Sequence, residues 1–235
     1  MQLFAERGKD NYQKTPTIAF LGDSVTQGCF EVYWKNEDQC EAVFDQNHAY
    51  HKYVAQILAT LYPSVPVTII NAGISGSRTG HAVDRLHRDV ISHQPDLAVV
   101  CFGLNDVCSG EKGIDIYGAN LEAIFTELQK HNIEVVFMTP NMMNTYVDYN
   151  IDPSFKDFAE TTATAQNSGM MDNYMNRAKE VCEKCGVVVC DCYAKWKTLQ
   201  ENGADVTALL SNKINHPSRE MNWLFAYSLV ETFMK

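Results

Sequence analysis

Thr17-Ile18-Ala19-Phe20-Leu21-Gly22-Asp23-Ser24 reads as a short buried strand that breaks at a glycine and presents a serine. The apolar run has the length and composition of a strand in a sheet core. A serine just past such a strand stands at the carboxyl edge of the sheet, where open α/β folds hold their ligands. Outward from this stretch, helix and strand patterns alternate. Tyr50, Tyr53, Val54, Ile57, Leu58 and Leu61 form a helical stripe closed by Pro63, and residues 65–70 form a second strand. Val83, Leu86, Val90 and Ile91 mark a helix that stops before Pro95, and residues 97–102 a third strand. Tyr117, Leu121, Ile124, Phe125 and Leu128 give another helix, followed by a fourth strand over 133–138. A cysteine-bearing helix, a strand over 187–192 and a last helix from about Pro217 complete the series. Such alternation predicts an α/β fold, a parallel sheet with helices on both faces. With no repeat, low-complexity segment or linker, residues 1–235 are expected to form a single domain.

Two more apolar runs end in polar constellations, Asn71-Ala72-Gly73-Ile74-Ser75-Gly76 and Gly103-Leu104-Asn105-Asp106, and Asn215-His216-Pro217 stands near the C-terminus. Together with Ser24 they supply a hydroxyl nucleophile, a base and two kinds of oxyanion donor, the equipment of acyl transfer. Taken singly, each has a plainer reading. Ser24 suits a helix N-cap, Gly76 an ordinary turn, Asn105 a cap, and His216 a loop. Three blocks closing neighbouring strands make coincidence a poor account of them.

The four blocks resemble those of the SGNH hydrolases, also called the GDSL esterase/lipase family, whose Ser, Gly, Asn and His fall here on Ser24, Gly76, Asn105 and His216. The resemblance implies a three-layer α/β/α sandwich whose five-stranded parallel sheet has the flavodoxin-like order 2-1-3-4-5. It implies that Ser24 forms an acyl-enzyme with His216 as base. It also implies an oxyanion hole made by the N–H groups of Ser24 and Gly76 and the Asn105 side-chain amide. One element departs from the pattern. The family usually carries Asp three residues before the His, and Lys213 stands there. A protonated amine would oppose a charged imidazole, so another group must orient His216. A backbone carbonyl, the side-chain oxygen of Asn212 and Asp205 are the candidates. The neutral acceptors are favoured, since nothing in the spacing directs Asp205 to His216. Pro217 suits the first position of a helix, which would place His216 at its cap. Asp23 and Asp106 read as braces of their turns. Most of His48, His51, His81, His87, His93 and His131 are expected on solvated faces, with His48 and His81 nearest to loop ends.

Acidic residues outnumber basic ones 29 to 19, for a net charge of −10. That balance argues against nucleic acid and against an anionic membrane surface as partners, although Lys35, Arg78 or Lys213 could form a local basic patch. No apolar stretch approaches a membrane span. The N-terminal residues lack a secretory core, so a cytoplasmic location is expected. Cys182, Cys185, Cys190 and Cys192 have a spacing that could hold zinc. Met171, Tyr174, Met175, Ala178 and Val181 share a helical stripe with Cys182 and Cys185, so a reduced, metal-free role in the core is expected. No metal or organic cofactor is called for.

Segments 29–47 and 141–167 are too long for simple connections. Both leave the carboxyl ends of strands and both are rich in rings and amides: Phe30, Tyr33, Trp34 and Asn36, then Asn141, Asn144, Tyr146, Tyr149 and Asn150. They either pack small cores of their own or line a groove suited to a sugar. The expected function is a serine esterase acting on small or carbohydrate-borne esters, acetyl esters foremost. The alternatives are an acyltransferase using the same site and a catalytically weak carbohydrate binder. A flavodoxin-like binding module ranks lower, because the chain lacks G-x-G-x-x-G after the first strand and lacks a P-loop lysine.

Overall fold

The computed structural model describes residues 1–36 and 39–235. Helix α1 (Gln2–Lys9) precedes β1 (Thr17–Gly22), which runs straight into the short helix α2 (Ser24–Gln27). An antiparallel pair follows, β2 (Cys29–Asn36) with β3 (Gln39–Phe44). The chain then alternates through α3 (Tyr50–Leu61), β4 (Thr68–Gly73), α4 (Thr79–Asp89), β5 (Leu97–Cys101), α5 (Ile114–Lys130) and β6 (Glu134–Met138). It closes with α6 (Lys156–Asn167), α7 (Met170–Cys185), β7 (Val188–Cys190), α8 (Cys192–Glu201) and α9 (Asn222–Phe233).

The main sheet has five parallel strands in the order β4-β1-β5-β6-β7. Counted along the chain within that sheet, this is the order 2-1-3-4-5 implied by the family resemblance. Ala19, Phe20 and Leu21 on β1 and Ala98 to Val100 on β5 are fully buried, because helices cover both faces. One layer packs α3 against α9 and α9 against α8; the other packs α5 against α4 and α7, and α7 against α6. Rings join the layers to the sheet. Phe20 meets Tyr50 edge-on at 5.6 Å, Tyr50 meets Phe225 at 5.8 Å, and Phe125 meets Phe137 at 5.9 Å. Each such buried ring contributes roughly 1.5–3 kcal/mol by area alone. Among the described residues no helix is long and apolar enough to cross a membrane.

Several element bounds differ from the sequence expectation, each for a local reason. The second strand starts at Thr68 rather than 65. Pro66 has no N–H to give a ladder, and pairing with β1 begins at Thr17↔Thr68. The strand expected over 187–192 stops at Cys190, because the Asp191 carboxylate accepts the Ala194 N–H at 3.1 Å and starts α8. Pro217 does not open a helix. It bridges Leu210, while the Ser211 N–H reaches the His216 carbonyl at 2.7 Å and the Ser218 N–H the Leu209 carbonyl at 2.9 Å. His216 therefore lies on a short hairpin, and α9 begins only at Asn222. Segment 29–47 is largely the β2–β3 ribbon, and α6 fills the end of segment 141–167. His51, expected on a solvated face, is buried against the rings of Phe20 and Tyr50.

The register positions the site. Gly22 pairs with Gly73 on one side and Cys101 on the other, so three strands end at one level. Gly73 is required by close approach, since a Cβ there would collide with the backbone N of Gln27 in α2.

Candidate active site

Helix α2 is a single turn held by its flanks. The Asp23 carboxylate accepts the Val25 N–H at 3.0 Å, the Asp23 carbonyl accepts the Gln27 N–H at 2.9 Å, and Gly28 closes the turn with φ +92°. Asp23 is thus the N-cap and Ser24 the first helical residue, which leaves its hydroxyl free for other work. The Ser24 Oγ lies 2.9 Å from Nε2 of His216. On the other side of the ring, Nδ1 lies 3.0 Å from the backbone carbonyl of Phe30. A carbonyl only accepts, so Nδ1 carries the proton and Nε2 offers its lone pair to the serine hydroxyl.

Ser24 and His216 are only 4% and 5% exposed. Burial pulls the imidazole down to about 4, against the opposing pull of the Phe30 carbonyl and the Glu31 charge. A base must be neutral to take a proton, and a depressed pKa keeps it neutral over a wider range. The acid limb of kcat/KM should therefore fall near pH 4, well below the ordinary histidine value of 6.5, and activity should be nearly level across pH 6 to 7. A pH–rate profile checks this.

The hairpin bearing His216 is organised by amides. Asn212 Oδ1 accepts the N–H groups of Ile214, Asn215 and His216 at 3.1, 2.9 and 2.9 Å. Lys213 takes φ +58° to allow that turn and sends its ammonium to the Ala208 carbonyl at 2.8 Å. From the neighbouring segment, the Asn144 N–H reaches the Ile214 carbonyl at 2.8 Å and Asn141 Nδ2 the Asn215 carbonyl at 2.8 Å. Asn141 and Asn144 are buried braces of this hairpin and line no groove. Of the three groups considered for orienting His216, only a backbone carbonyl touches the ring. Asn212 acts on the backbone of the loop. Asp205 accepts the Tyr146 hydroxyl at 2.7 Å and the Ala208 N–H at 3.1 Å. Asp205→Asn should accordingly leave kcat within about twofold of wild type, the scale of a surface change of ~0.5 kcal/mol, as steady-state kinetics on p-nitrophenyl acetate would register.

Asn105 joins the other two blocks. Its Nδ2 donates to the Ser77 carbonyl at 3.1 Å and to Asp23 Oδ2 at 3.3 Å, so it touches the residue after Gly76 and the residue before Ser24. The Ile74 N–H reaches the Gly22 carbonyl at 3.1 Å and draws the glycine turn onto β1. Gly76 has φ +72°, a region that suits glycine. Among the described residues, no acceptor pairs with the N–H of Ser24 or of Gly76. Asp106 holds the start of α4 through the N–H and hydroxyl of Thr79, at 2.9 and 2.6 Å. Burial pushes the Asp23 carboxyl up to about 7, with the Val25 N–H opposing and the Asp106 charge adding. Asp23 braces the turn in either protonation state.

Two arginines absent from the sequence reading also belong to the surroundings of the site. Arg85, buried on α4, donates to the carbonyls of Ala72 at 2.6 Å and Gly22 at 2.9 Å and pairs with Asp89 at 3.0 Å. It pins the ends of β4 and β1 together. Arg219 binds Glu31 and Asp45. The only trace of Arg85 in the sequence is a charge beside Ala82 and Leu86 on the buried face of its helix.

Other candidates fall away from the chemistry. Both carbohydrate-suited tyrosines of segment 141–167 are at the surface, Tyr146 on Asp205 and Tyr149 92% exposed. Phe30 is buried, and the side chain of Trp34 lies outside the described residues. His48 pairs with Asp45, and His81 accepts the Arg78 N–H at 3.3 Å. Cys182, Cys190 and Cys192 are buried, with the last two sulfurs 3.7 Å apart. Among the described residues no three His, Cys, Asp or Glu side chains gather to hold a metal ion.

A cavity of about 310 Å³ lies beside the Gly76 and Asn105 blocks, lined by Arg78, Thr79, His81, Asp106, Lys112 and Asn120. A larger one, about 690 Å³, opens at the opposite end of the sheet, among Thr17, Leu97, Glu134 and Val188. Those residues start their strands, so the larger cavity has no access to the groups assembled at the strand ends.

The pattern of the GDSL-like lipase/acylhydrolase family matches residues 20–224. The chain is similar to an acetylxylan esterase of Geobacillus stearothermophilus, 26% identical over 186 residues, which are 75% of this chain and 76% of that protein. It is 32% identical to an arylesterase of Vibrio mimicus over 99 residues, 39% of this chain and 48% of the relative. Among solved structures, the Geobacillus acetylxylan esterase superposes with a TM-score of 0.68 at 22% identity, covering 92% of this chain and 93% of the other. A second acetyl xylan esterase, AlAXEase, also gives 0.68, at 21% identity and 92% and 98% coverage. At such identities the structural likeness speaks for the fold.

Proposed function

Because the chain belongs to the GDSL-like lipase/acylhydrolase family, we propose that it is a carboxylic ester hydrolase releasing small acyl groups, acetyl foremost, from carbohydrate-borne esters. The observation that carries this reading is the 2.9 Å contact between Ser24 Oγ and His216 Nε2, formed where three strands end together. In the proposed reaction His216 Nε2 takes the hydroxyl proton as Ser24 Oγ bonds to the acyl carbon. The carbonyl oxygen becomes an oxyanion, received by the N–H groups of Ser24 and Gly76 and by the Asn105 amide. Donors fixed before the charge develops need no reorganisation when it appears. The imidazolium then gives its proton to the departing alkoxide, which leaves as the alcohol. Water repeats the sequence on the acyl-enzyme, again with His216 as base, and the carboxylic acid departs.

Two features support the choice of substrate. Ser24 and His216 are nearly buried, which favours a short acyl group over a long one. The cavity beside Gly76 and Asn105 offers Thr79, Asn120, Arg78 and Asp106, groups that hydrogen-bond hydroxyls. The similarity to acetylxylan esterases agrees with both. The test is acetate release from acetylated xylooligosaccharides, together with p-nitrophenyl esters of increasing acyl length. Acetate release, with rates falling from acetyl to octanoyl, is expected. No hydrolysis of either series would overturn the reading.

A further inference from the structure

A carbonyl that orients a catalytic base carries no net charge, and it is only as fixed as the peptide it belongs to. The Phe30 carbonyl sits near the start of β2, and the next residue, Glu31, is seized by a side chain from the His216 hairpin. Arg219 Nη1 lies 2.6 Å from Glu31 Oε1 and Nη2 lies 3.2 Å from Oε2. Its Nε donates to Asp45 Oδ2 at 2.9 Å. Its guanidinium lies 4.3 Å over the ring of Phe30 itself. The Asp45 N–H in turn reaches the Gly28 carbonyl at 2.8 Å, which ties the far end of the ribbon to α2. One arginine, three residues past His216, therefore grips the residue that supplies the carbonyl, the residue after it and the end of the ribbon.

We propose that Arg219, acting through Glu31 and Phe30, is the positioning residue that takes the place of the missing triad acid: it holds the Phe30 carbonyl on Nδ1 of His216, with the Glu31 carboxylate as the nearby negative charge. The inference rests on the Ser24–His216 reading above. Stability alone does not account for the arrangement. The Arg219 and Glu31 side chains are 28% and 38% exposed, and exposed ion pairs contribute little, about 0–1 kcal/mol. A bidentate fork stacked on a ring instead fixes direction. The charge also acts in the sense a triad acid would, because Glu31 favours the protonated imidazole against the effect of burial. Neither residue touches the substrate in this account; both act through the carbonyl.

The test compares Arg219→Met, which keeps an apolar stem over Phe30, with Arg219→Lys, Glu31→Gln and His216→Ala, using p-nitrophenyl acetate. Arg219→Met should lower kcat about 10-fold or more, the lower range for groups that orient a functional side chain from behind, with KM within about twofold. Arg219→Lys should recover part of the loss. Glu31→Gln keeps a hydrogen-bonding partner but loses the charge, so the acid limb of kcat/KM should move to lower pH. The inference is overturned if Arg219→Met and Glu31→Gln keep wild-type kcat and an unmoved acid limb, or if the loss falls in KM alone. Should Arg219→Met not fold, the acid limb of Glu31→Gln decides. If His216→Ala stays active, the Ser24–His216 reading itself fails; if it is dead while the clamp variants match wild type, only this inference fails.

Discussion

Ser24→Ala should give a folded protein whose kcat on small acetyl esters is lower by about 10⁴-fold or more. The expectation follows from what the hydroxyl does. Its partner is Nε2 of a ring whose other nitrogen is already committed to the Phe30 carbonyl. The pair is thus arranged for one proton transfer, from oxygen to Nε2. Nothing in the fold depends on it to the same extent, because α2 is held by Asp23, Gln27 and Gly28. Loss of the hydroxyl removes one buried hydrogen bond, a cost of roughly 1–3 kcal/mol at most. His216→Ala should lose a comparable factor, and the double variant should be little worse than either, since groups that act as a unit are not additive. Near wild-type turnover in Ser24→Ala would show that another group performs the attack.

Asn105→Ala carries the second large effect. Removing one oxyanion donor typically costs about 10²–10³ in kcat, and the loss should fall on kcat far more than on KM. In the resting site both Nδ2 protons are engaged, at 3.1 Å on Ser77 and 3.3 Å on Asp23. The longer bond is the one that a tetrahedral oxyanion would displace. Its acceptor is a carboxyl that burial pushes up to about 7, so near neutral pH part of the population offers only a weak, uncharged acceptor. Steady-state kinetics with urea unfolding in parallel distinguishes the roles. A large loss of stability with kcat preserved would make Asn105 a brace between two turns and no more.

How far the chain could be read in advance depended on the range of each interaction. The parallel α/β class was legible because Ile18 to Leu21 and Leu97 to Cys101 are apolar along their whole length, as strands covered on both faces must be. The strand order came from the family resemblance and not from the pattern. Ser24, Gly76 and Asn105 stood out because each follows a strand-like run, and His216 because it precedes Pro217 at an expected helix cap. Helix α8 was not legible, since Val187 to Cys192 continues a strand-like pattern and only the Asp191 cap ends it. Pro217 suggested a helix start, but its place is set by a bridge to Leu210 that local sequence does not encode. The group on His216 Nδ1 is a backbone carbonyl 186 residues away, and a carbonyl leaves no side-chain signature. Arg219 was missed because its carboxylate partner Glu31 lies 188 residues away. Arg85 was missed because, beyond the local pair with Asp89, it is fixed by backbone carbonyls such as that of Gly22, 63 residues away.

Covalent labelling with a serine-reactive fluorophosphonate, followed by mass spectrometry of the digested protein, tests most directly the claim that Ser24 is a nucleophile activated by His216. One label per chain is expected, on the peptide bearing Ser24, with labelling abolished in His216→Ala and unchanged in Asp205→Asn. A folded protein that takes no label, that takes it on another residue, or that is labelled equally fast without His216 would contradict it.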